Sequence, residues 1–137
     1  MTDDQTSTVP YDFDTEEVLE SADVQIKDAS GAPTTLVITV ASPTHPERKR
    51  WEFASQNRRR ALIQKTGKFI NGSAEDEYDD ETERLAISTL GWTSKRVAHS
   101  RQAALAVYGD PKRMHIRAQV LAALSDLQLF TRSSATA

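Results

Sequence analysis

An apolar seam near the C-terminus is the strongest constraint that this sequence places on its fold. Its members recur at intervals of four, three, four and three residues, and they are Ile116, Val120, Ala123, Leu127 and Phe130. This spacing puts them on one face of an α-helix, with Leu121 and Leu124 beside them. Such a face needs a cover, which is either the core of its own domain or a partner protein. The sequence therefore predicts a final helix that packs on something.

Length and composition limit the classes of protein to which the chain can belong. Its 137 residues suffice for one hydrophobic core, and the absence of cysteine excludes disulfides, thiol catalysis and Cys-based metal sites. No stretch approaches the roughly 18 to 20 apolar residues that cross a bilayer, and the N-terminus lacks the basic start and apolar run of a signal peptide. We expect a single domain, located in the cytoplasm, with no membrane contact.

Local patterns predict a β-hairpin followed by a helix. Across residues 23–43, apolar residues alternate with polar or β-branched ones on both sides of a Gly-Ala-Pro break, which is typical of two paired strands. Two prolines end the second strand, and Thr44 is the expected N-cap of a helix that continues to residue 65. Trp51 lies on the broad apolar face of this helix, and Phe53 lies to its side.

The remaining patterns predict about three more helices. Seven acids between Glu75 and Glu83 favour a helix N-terminus, after a glycine-containing loop at residues 66–73. A further helix is expected over residues 100–108, and Asp110 with Pro111 begins the last one.

The predicted fold class is therefore α+β, mainly helical, with a small N-terminal β-hairpin and about four helices in one domain over residues 21–131. Residues 1–20 carry seven acids and no lysine or arginine, so we expect a disordered acidic tail. Residues 132–137 are polar, and we expect them to be a frayed end.

The segment LAISTLGW, residues 85–92, is interpreted as a helix stop. Gly91 is expected to take the left-handed position after the helix, and Trp92 then folds back onto Ile87 in a Schellman motif. This interpretation places the indole of Trp92 mainly in the core. An exposed tryptophan that binds a partner is the less favoured alternative.

Catalytic and metal-binding motifs are absent from the sequence. His45, His99 and His115 lie singly in three different elements, and the acidic run lacks the glycine and the ligand order of an EF-hand. We expect no enzymatic activity, no cofactor and no metal site.

The strongest electrostatic feature is the cluster Arg58, Arg59 and Arg60. Clustered guanidinium groups can neutralise phosphates, so nucleic-acid binding is one interpretation. The pI near 5.6 and an equally dense acidic run about fifteen residues downstream favour electrostatic contacts with protein instead. Nucleic acid is therefore the less favoured partner.

Two patterns over roughly residues 27–130 are the most specific in the chain. One is Thr89-Leu90-Gly91-Trp92, and the other is the closing set Ala106, Tyr108, Pro111, Ile116, Arg117, Gln119, Val120, Asp126 and Phe130. Together with the hairpin, the basic helix and the acidic segment, they resemble the tail assembly chaperones of long-tailed bacteriophages and prophages.

The resemblance implies a non-enzymatic protein in the cytoplasm of the infected bacterial host. Such a chaperone binds the phage tape-measure protein, keeps it soluble and helps to recruit tail-tube subunits. The residues expected to bind the partner are Ile116, Val120, Leu124, Leu127, Phe130, Trp51 and Phe53. A homo-oligomer is also compatible with the sequence, because a two-stranded hairpin needs a helical or intersubunit cover.

Two alternatives stay open. The chain could be a small virion structural protein, as part of the tail or of the head-tail joint, whose charged patches hold a ring together. It could also be a nucleic-acid-binding accessory protein that acts through its three consecutive arginines.

Overall fold

A computed structural model describes residues 10–67 and 73–133. The elements in chain order are β1 (Glu16–Val18), β2 (Ser21–Lys27), β3 (Pro33–Ala41), α1 (Pro46–Thr66), α2 (Ala74–Ser88), β4 (Thr89–Trp92), α3 (Arg101–Gly109), a 3-10 turn (Pro111–Arg113), α4 (Met114–Leu124), α5 (Leu127–Phe130) and β5 (Thr131–Ser133). The structure is 53% helical and 21% strand, which confirms the predicted, mainly helical α+β class.

The predicted hairpin forms, and a third strand extends it. β2 and β3 pair antiparallel through a turn in which Gly31 has a φ of 93°, a conformation that favours glycine. β4 pairs antiparallel with the other edge of β3, so that Ile38 lies opposite Trp92. The strand order is β2-β3-β4. A hairpin that is marginal alone thus becomes a three-stranded sheet with a helical cover.

The Schellman motif predicted at Gly91 does not form. α2 ends at Ser88, and Thr89 already has an extended backbone with φ −93° and ψ 116°. Gly91 does not have the positive φ that the motif requires, and it pairs with Thr39 instead. The open edge of β3 offers ladder hydrogen bonds to β4, whereas a Schellman motif satisfies only the last carbonyls of the helix.

A second, two-stranded sheet joins the two ends of the described chain. β1 pairs antiparallel with β5, and the side chains of Glu17 and Arg132 form an ion pair across it. The predicted limits of the domain need correction, because ordered strands lie before residue 21 and after residue 131. Composition argued against order in these segments, but pairing with a distant strand supplies the backbone hydrogen bonds that each lacks alone.

Three predicted segments lie partly outside the described residues. Residues 1–9 of the predicted tail, residues 68–72 of the predicted loop and residues 134–137 of the predicted frayed end lie outside the described residues.

The predicted final helix is divided in two. α4 ends at Leu124, and Asp126 begins α5 by accepting a hydrogen bond from the Gln128 N–H at 3.1 Å. An aspartate is a strong N-cap, so it favours a new helix start over continuation of the old one. The break leaves Leu127 exposed, whereas Phe130 is fully buried.

The cap of α1 also differs from the prediction. His45, not Thr44, is the N-cap, and its Nδ1 accepts from the Glu47 N–H at 3.2 Å. Thr44 instead shares a hydrogen bond of 2.7 Å with the hydroxyl of Ser42. Because Ser42 already holds the threonine hydroxyl, the next residue takes over the capping role.

One buried arginine joins three helices. Arg117 on α4 is 3% exposed, and its Nη1 donates to Thr82 Oγ1 at 2.6 Å and to the Tyr108 carbonyl at 3.0 Å. Its Nη2 donates to Glu81 Oε1 at 2.7 Å and to the Tyr78 carbonyl at 3.2 Å. The guanidinium also lies 3.8 Å from the centroid of the Tyr78 ring. A buried charge is tolerated only with such a set of acceptors.

The sheet packs against the last helices and thereby forms the core. The fully buried apolar residues come from β2, β3, α2, α3, α4 and α5, and the largest are Tyr108, Phe130, Ile26, Ile38, Leu85 and Leu124.

Gln119 on α4 also seals one edge of the sheet. Its Oε1 accepts from the Lys27 N–H at 2.8 Å, and its Nε2 donates to the Lys27 carbonyl at 2.8 Å. The amide thus replaces a neighbouring strand at that point.

Replacing Arg117 tests its role as the joint between helices. Arg117→Met keeps most of the length of the side chain but leaves the buried acceptors without this donor, so we expect the free energy of unfolding to fall by about 3 kcal/mol. Urea denaturation followed by circular dichroism measures this loss. Arg113→Met, at an exposed position one turn earlier, is the matched control and should change stability by less than about 0.5 kcal/mol. Equal losses for both variants would contradict the assigned role.

Tyr108 makes stability depend on pH in the alkaline range. Burial raises the pKa of Tyr108 to about 12, although its 2.5 Å hydrogen bond with Thr89 Oγ1 acts in the opposite direction. The folded state therefore retains a proton that an unfolded tyrosine releases near pH 10, so this contribution is intact below pH 10 and lost between pH 10 and about 12. Between pH 9 and pH 11, wild type should lose about 1 kcal/mol more than Tyr108→Phe in urea denaturation. Parallel losses in the two proteins would show that another group is responsible.

Candidate interaction surface

The long helix α1 is fastened to the body at its start and lies mostly in solvent. Arg48 is the buried residue of this helix. Its Nη1 donates to the Ala41 carbonyl at 3.0 Å and its Nη2 to the Leu124 carbonyl at 3.2 Å. Burial, together with the nearby charge of Arg84, lowers the pKa of Arg48, but an arginine stays protonated at physiological pH. One guanidinium thus ties α1 to β3 and α4.

A small set of polar contacts links α1 to α2. Trp51 Nε1 donates to Glu83 Oε1 at 2.5 Å, and Arg58 Nη2 lies 3.8 Å from the same oxygen. Arg84 and Glu52 form an ion pair at 3.2 Å. α1 carries seven basic and two acidic residues, whereas α2 carries seven acids and one arginine. The two helices therefore attract each other, and the basic cluster meets the acidic run through Arg58.

Most of the remaining charge on α1 faces solvent. Arg59 and Arg60 are exposed and form no ion pair with a described residue. Arg59 lines an open polar groove of about 400 Å³ between the helices, together with Trp51, Glu52, Ser55, Gln56, Asp80, Glu81 and Arg84. Its mixed charges and wide opening suit water and ions better than an apolar ligand.

The outward face of α1 combines an aromatic ring with cations. Phe53 is 59% exposed, more than any other large apolar side chain in the described helices. Lys49 precedes it by four residues and Arg60 follows it by seven, so all three lie on one side of the helix, away from Trp51. Phe53 also borders a notch of about 230 Å³ with Pro43, Arg48, Lys49, Glu52 and Gln56. We call Lys49, Phe53 and Arg60 the outward face.

The structure divides the residues expected to bind a partner. Val120, Leu124 and Phe130 are buried in the core, and Ile116 is half-buried against it. The prediction that these four residues bind a partner is therefore wrong. They are packing residues, because α4 and α5 lie on the sheet and the sheet covers their apolar seam. Trp51 is half-buried against α2. Only Phe53 and Leu127, which is 55% exposed, remain open to a partner.

Sequence reasoning missed two residues that position this surface. Arg48 belongs to a basic run, and charge alone does not show which member of the run is buried. Its position one turn before Trp51, on the same face of the helix, was the signal that could have identified it. Lys49 belongs to the surface only because it lies one helical turn before Phe53, on the same face of α1. The predicted pair Gly91 and Trp92 lies on β4, apart from this surface.

Other kinds of site find no support among the described residues. No three His, Asp or Glu side chains within residues 10–67 and 73–133 are grouped so that they could hold a metal ion. No helix in the same ranges has both the length and the apolar character of a membrane span. In comparisons with known proteins, no family model, no curated protein and no solved structure matches the chain.

Two substitutions distinguish the exposed part of the expected binding set from its buried part. Phe53→Asp should change the free energy of unfolding by less than about 0.5 kcal/mol, because its ring is already largely in water. Leu124→Ala should lower it by about 2 to 5 kcal/mol, since it leaves a cavity in the core. Chemical denaturation of both variants measures the difference. A loss of several kcal/mol in Phe53→Asp would show that the ring is packed rather than open.

Proposed function

We propose that this chain is a tail assembly chaperone of a long-tailed bacteriophage, active without catalysis in the cytoplasm of the infected bacterium. It binds the tape-measure protein, keeps it soluble and helps to recruit tail-tube subunits. The observation that carries the proposal is the outward face of α1, where the exposed ring of Phe53 lies between Lys49 and Arg60. This surface supports binding of a protein more than any chemistry on a small substrate.

The chemistry of the outward face suits a helical partner. A tape-measure protein exposes apolar helical stripes until the tail tube encloses it, and a second helix can cover such a stripe. Phe53 supplies an aromatic anchor of the kind that dominates binding energy, while the flanking cations attract acids beside the stripe. A single aromatic anchor between charged residues gives a modest contact. Such a contact can be released when the tube assembles.

The way α1 is held also supports this role. The helix has 21 residues, about 30 Å, and its buried anchor is near its first turn. A partner can therefore lie along its outward face without displacing the core.

Two alternatives receive less support. Arg59 and Arg60 are free of ion pairs with described residues and could contact phosphates, which favours nucleic acid. A phosphate backbone needs an extended basic surface, however, and the acids of α2 beside α1 interrupt it. A structural place in the virion is compatible with the same charges, but nothing in the described structure selects it.

Co-expression with the tape-measure protein of the same phage tests the proposal. We expect the soluble fraction of the tape-measure protein to rise several-fold when this chain is present and to return to its basal level with Phe53→Asp. An exposed aromatic anchor typically contributes about 2 kcal/mol or more, which is at least a twentyfold loss of affinity. Quantitative immunoblotting of soluble and pelleted fractions measures the effect.

Leu127→Asp is the matched control, because Leu127 is about as exposed as Phe53 but lies on α5. It should preserve the effect. If Leu127→Asp abolishes the gain in soluble tape-measure protein and Phe53→Asp does not, the contact lies on α5 rather than on α1. Equal solubility with and without this chain would refute the chaperone function itself, and a stoichiometric amount of the chain in purified virions would favour the structural alternative.

A further inference from the structure

A shallow apolar groove lies beside Trp92, on elements other than α1. It has a volume of about 140 Å³ and is lined by Leu36, Ile38, Trp92, Ser94, Val97, Val107, Arg113 and Ile116. Most of its apolar residues are half-buried and pack against the hydrophobic core. A groove of this size holds one side chain, since sites for small-molecule ligands usually measure about 300 to 1,000 Å³.

The tryptophan in this groove is held in place by its neighbours. Trp92 Nε1 donates to the Val97 carbonyl at 2.7 Å, and its ring packs edge-to-face on His99 with 5.0 Å between the ring centroids. Its backbone is fixed opposite Ile38 in the sheet. The wall of the groove is therefore formed before any ligand arrives, which lowers the entropic cost of binding.

Three cations lie in the lining of the groove or next to it in the sequence. Lys95 and Arg96 are exposed and lie between two lining residues, Ser94 and Val97, while Arg113 lines the groove itself. Among the described residues that line it, none is acidic. Asp110 forms an ion pair with Arg113 at 3.9 Å, so part of the charge of Arg113 is balanced. The site thus presents apolar surface beside three cations, Lys95, Arg96 and Arg113, which we call the basic rim, and one acid, Asp110.

We infer that this groove docks an acidic segment of a partner protein through one aromatic side chain. The aromatic ring packs between Trp92, Val97 and Ile116. Carboxylates before and after it in the segment meet the basic rim, which steers the segment to the groove and excludes basic sequences. This inference goes beyond the proposed function, because it names a second surface and the chemistry of its ligand.

Nuclear magnetic resonance of the full-length chain tests the inference directly. The chain has two tryptophans, so the indole N–H signal of Trp51 is an internal control for that of Trp92. The titrant is an acetylated synthetic peptide with one phenylalanine flanked on each side by two aspartates. We expect the Trp92 signal to shift and saturate while the Trp51 signal stays in place. A peptide with alanine in place of the phenylalanine should bind at least tenfold more weakly.

Three variants locate the contact. Val97→Asp and Arg96→Glu should each weaken binding at least tenfold, and because Arg96 is exposed, its variant tests the rim without disturbing packing. Lys65→Glu is the matched control, since it removes another exposed cation, from α1, and should leave binding unchanged.

Several results would overturn the inference. These are an unmoved Trp92 signal at millimolar peptide, equal shifts of both indole signals, or an equal loss in Lys65→Glu and Arg96→Glu. A short oligothymidylate that shifts the Trp92 signal when the peptide does not would identify the groove as a nucleotide site instead. The peptide titration does not use the Phe53 variant. Its outcome is therefore independent of the co-expression test with the tape-measure protein.

Discussion

The buried guanidinium of Arg117 is the interaction on which the helical layer depends. A charge removed from water is tolerated only where acceptors surround it, and here they come from α2, α3 and the aromatic face of Tyr78. Because a guanidinium is planar and rigid, these acceptors fix the relative positions of the helices more tightly than apolar contacts would. The helices can then lie on the sheet as one unit. A second buried arginine, Arg48, uses backbone carbonyls in the same way to attach α1.

The residues that led us to propose a tail assembly chaperone mostly hold this fold together. Arg117 joins the helices, Gln119 seals the edge of β2, Asp126 starts α5, and Tyr108 and Phe130 fill the core. Their pattern therefore reports how such a chain folds more than what it binds. The surfaces that we propose for binding lie mainly elsewhere, on the outward face of α1 and in the groove beside Trp92. Both combine an aromatic ring with exposed cations, a chemistry that attracts acidic, partly apolar protein segments.

Much of the architecture could be predicted because its causes are local. Alternating residues around a Gly-Ala-Pro turn define the hairpin, and Ser73 with Asp76 forms a capping box at the start of the acidic helix. The site was harder to predict. An apolar seam at helical spacing indicates that a face will be covered, but it does not identify the cover. Core packing was the favoured interpretation of Val120 and Phe130, and a partner surface stayed open as the alternative. The sheet decides that question by covering the seam, and Phe53 and Leu127 are the expected binding residues that stay exposed.

The sequence by itself determined most of the helix positions, the hairpin and the segregation of basic from acidic charge, because each depends on residues within a few positions of one another. Tertiary structure alone decided the fate of LAISTLGW, in which the open edge of β3 turns an expected helix stop into a strand. It also decided that residues 16–18 pair with a strand more than a hundred residues away, and that Arg48 is buried against a carbonyl 76 residues distant. Such contacts depend on which unsatisfied edge or acceptor lies nearby once the chain has folded, and no local pattern records that.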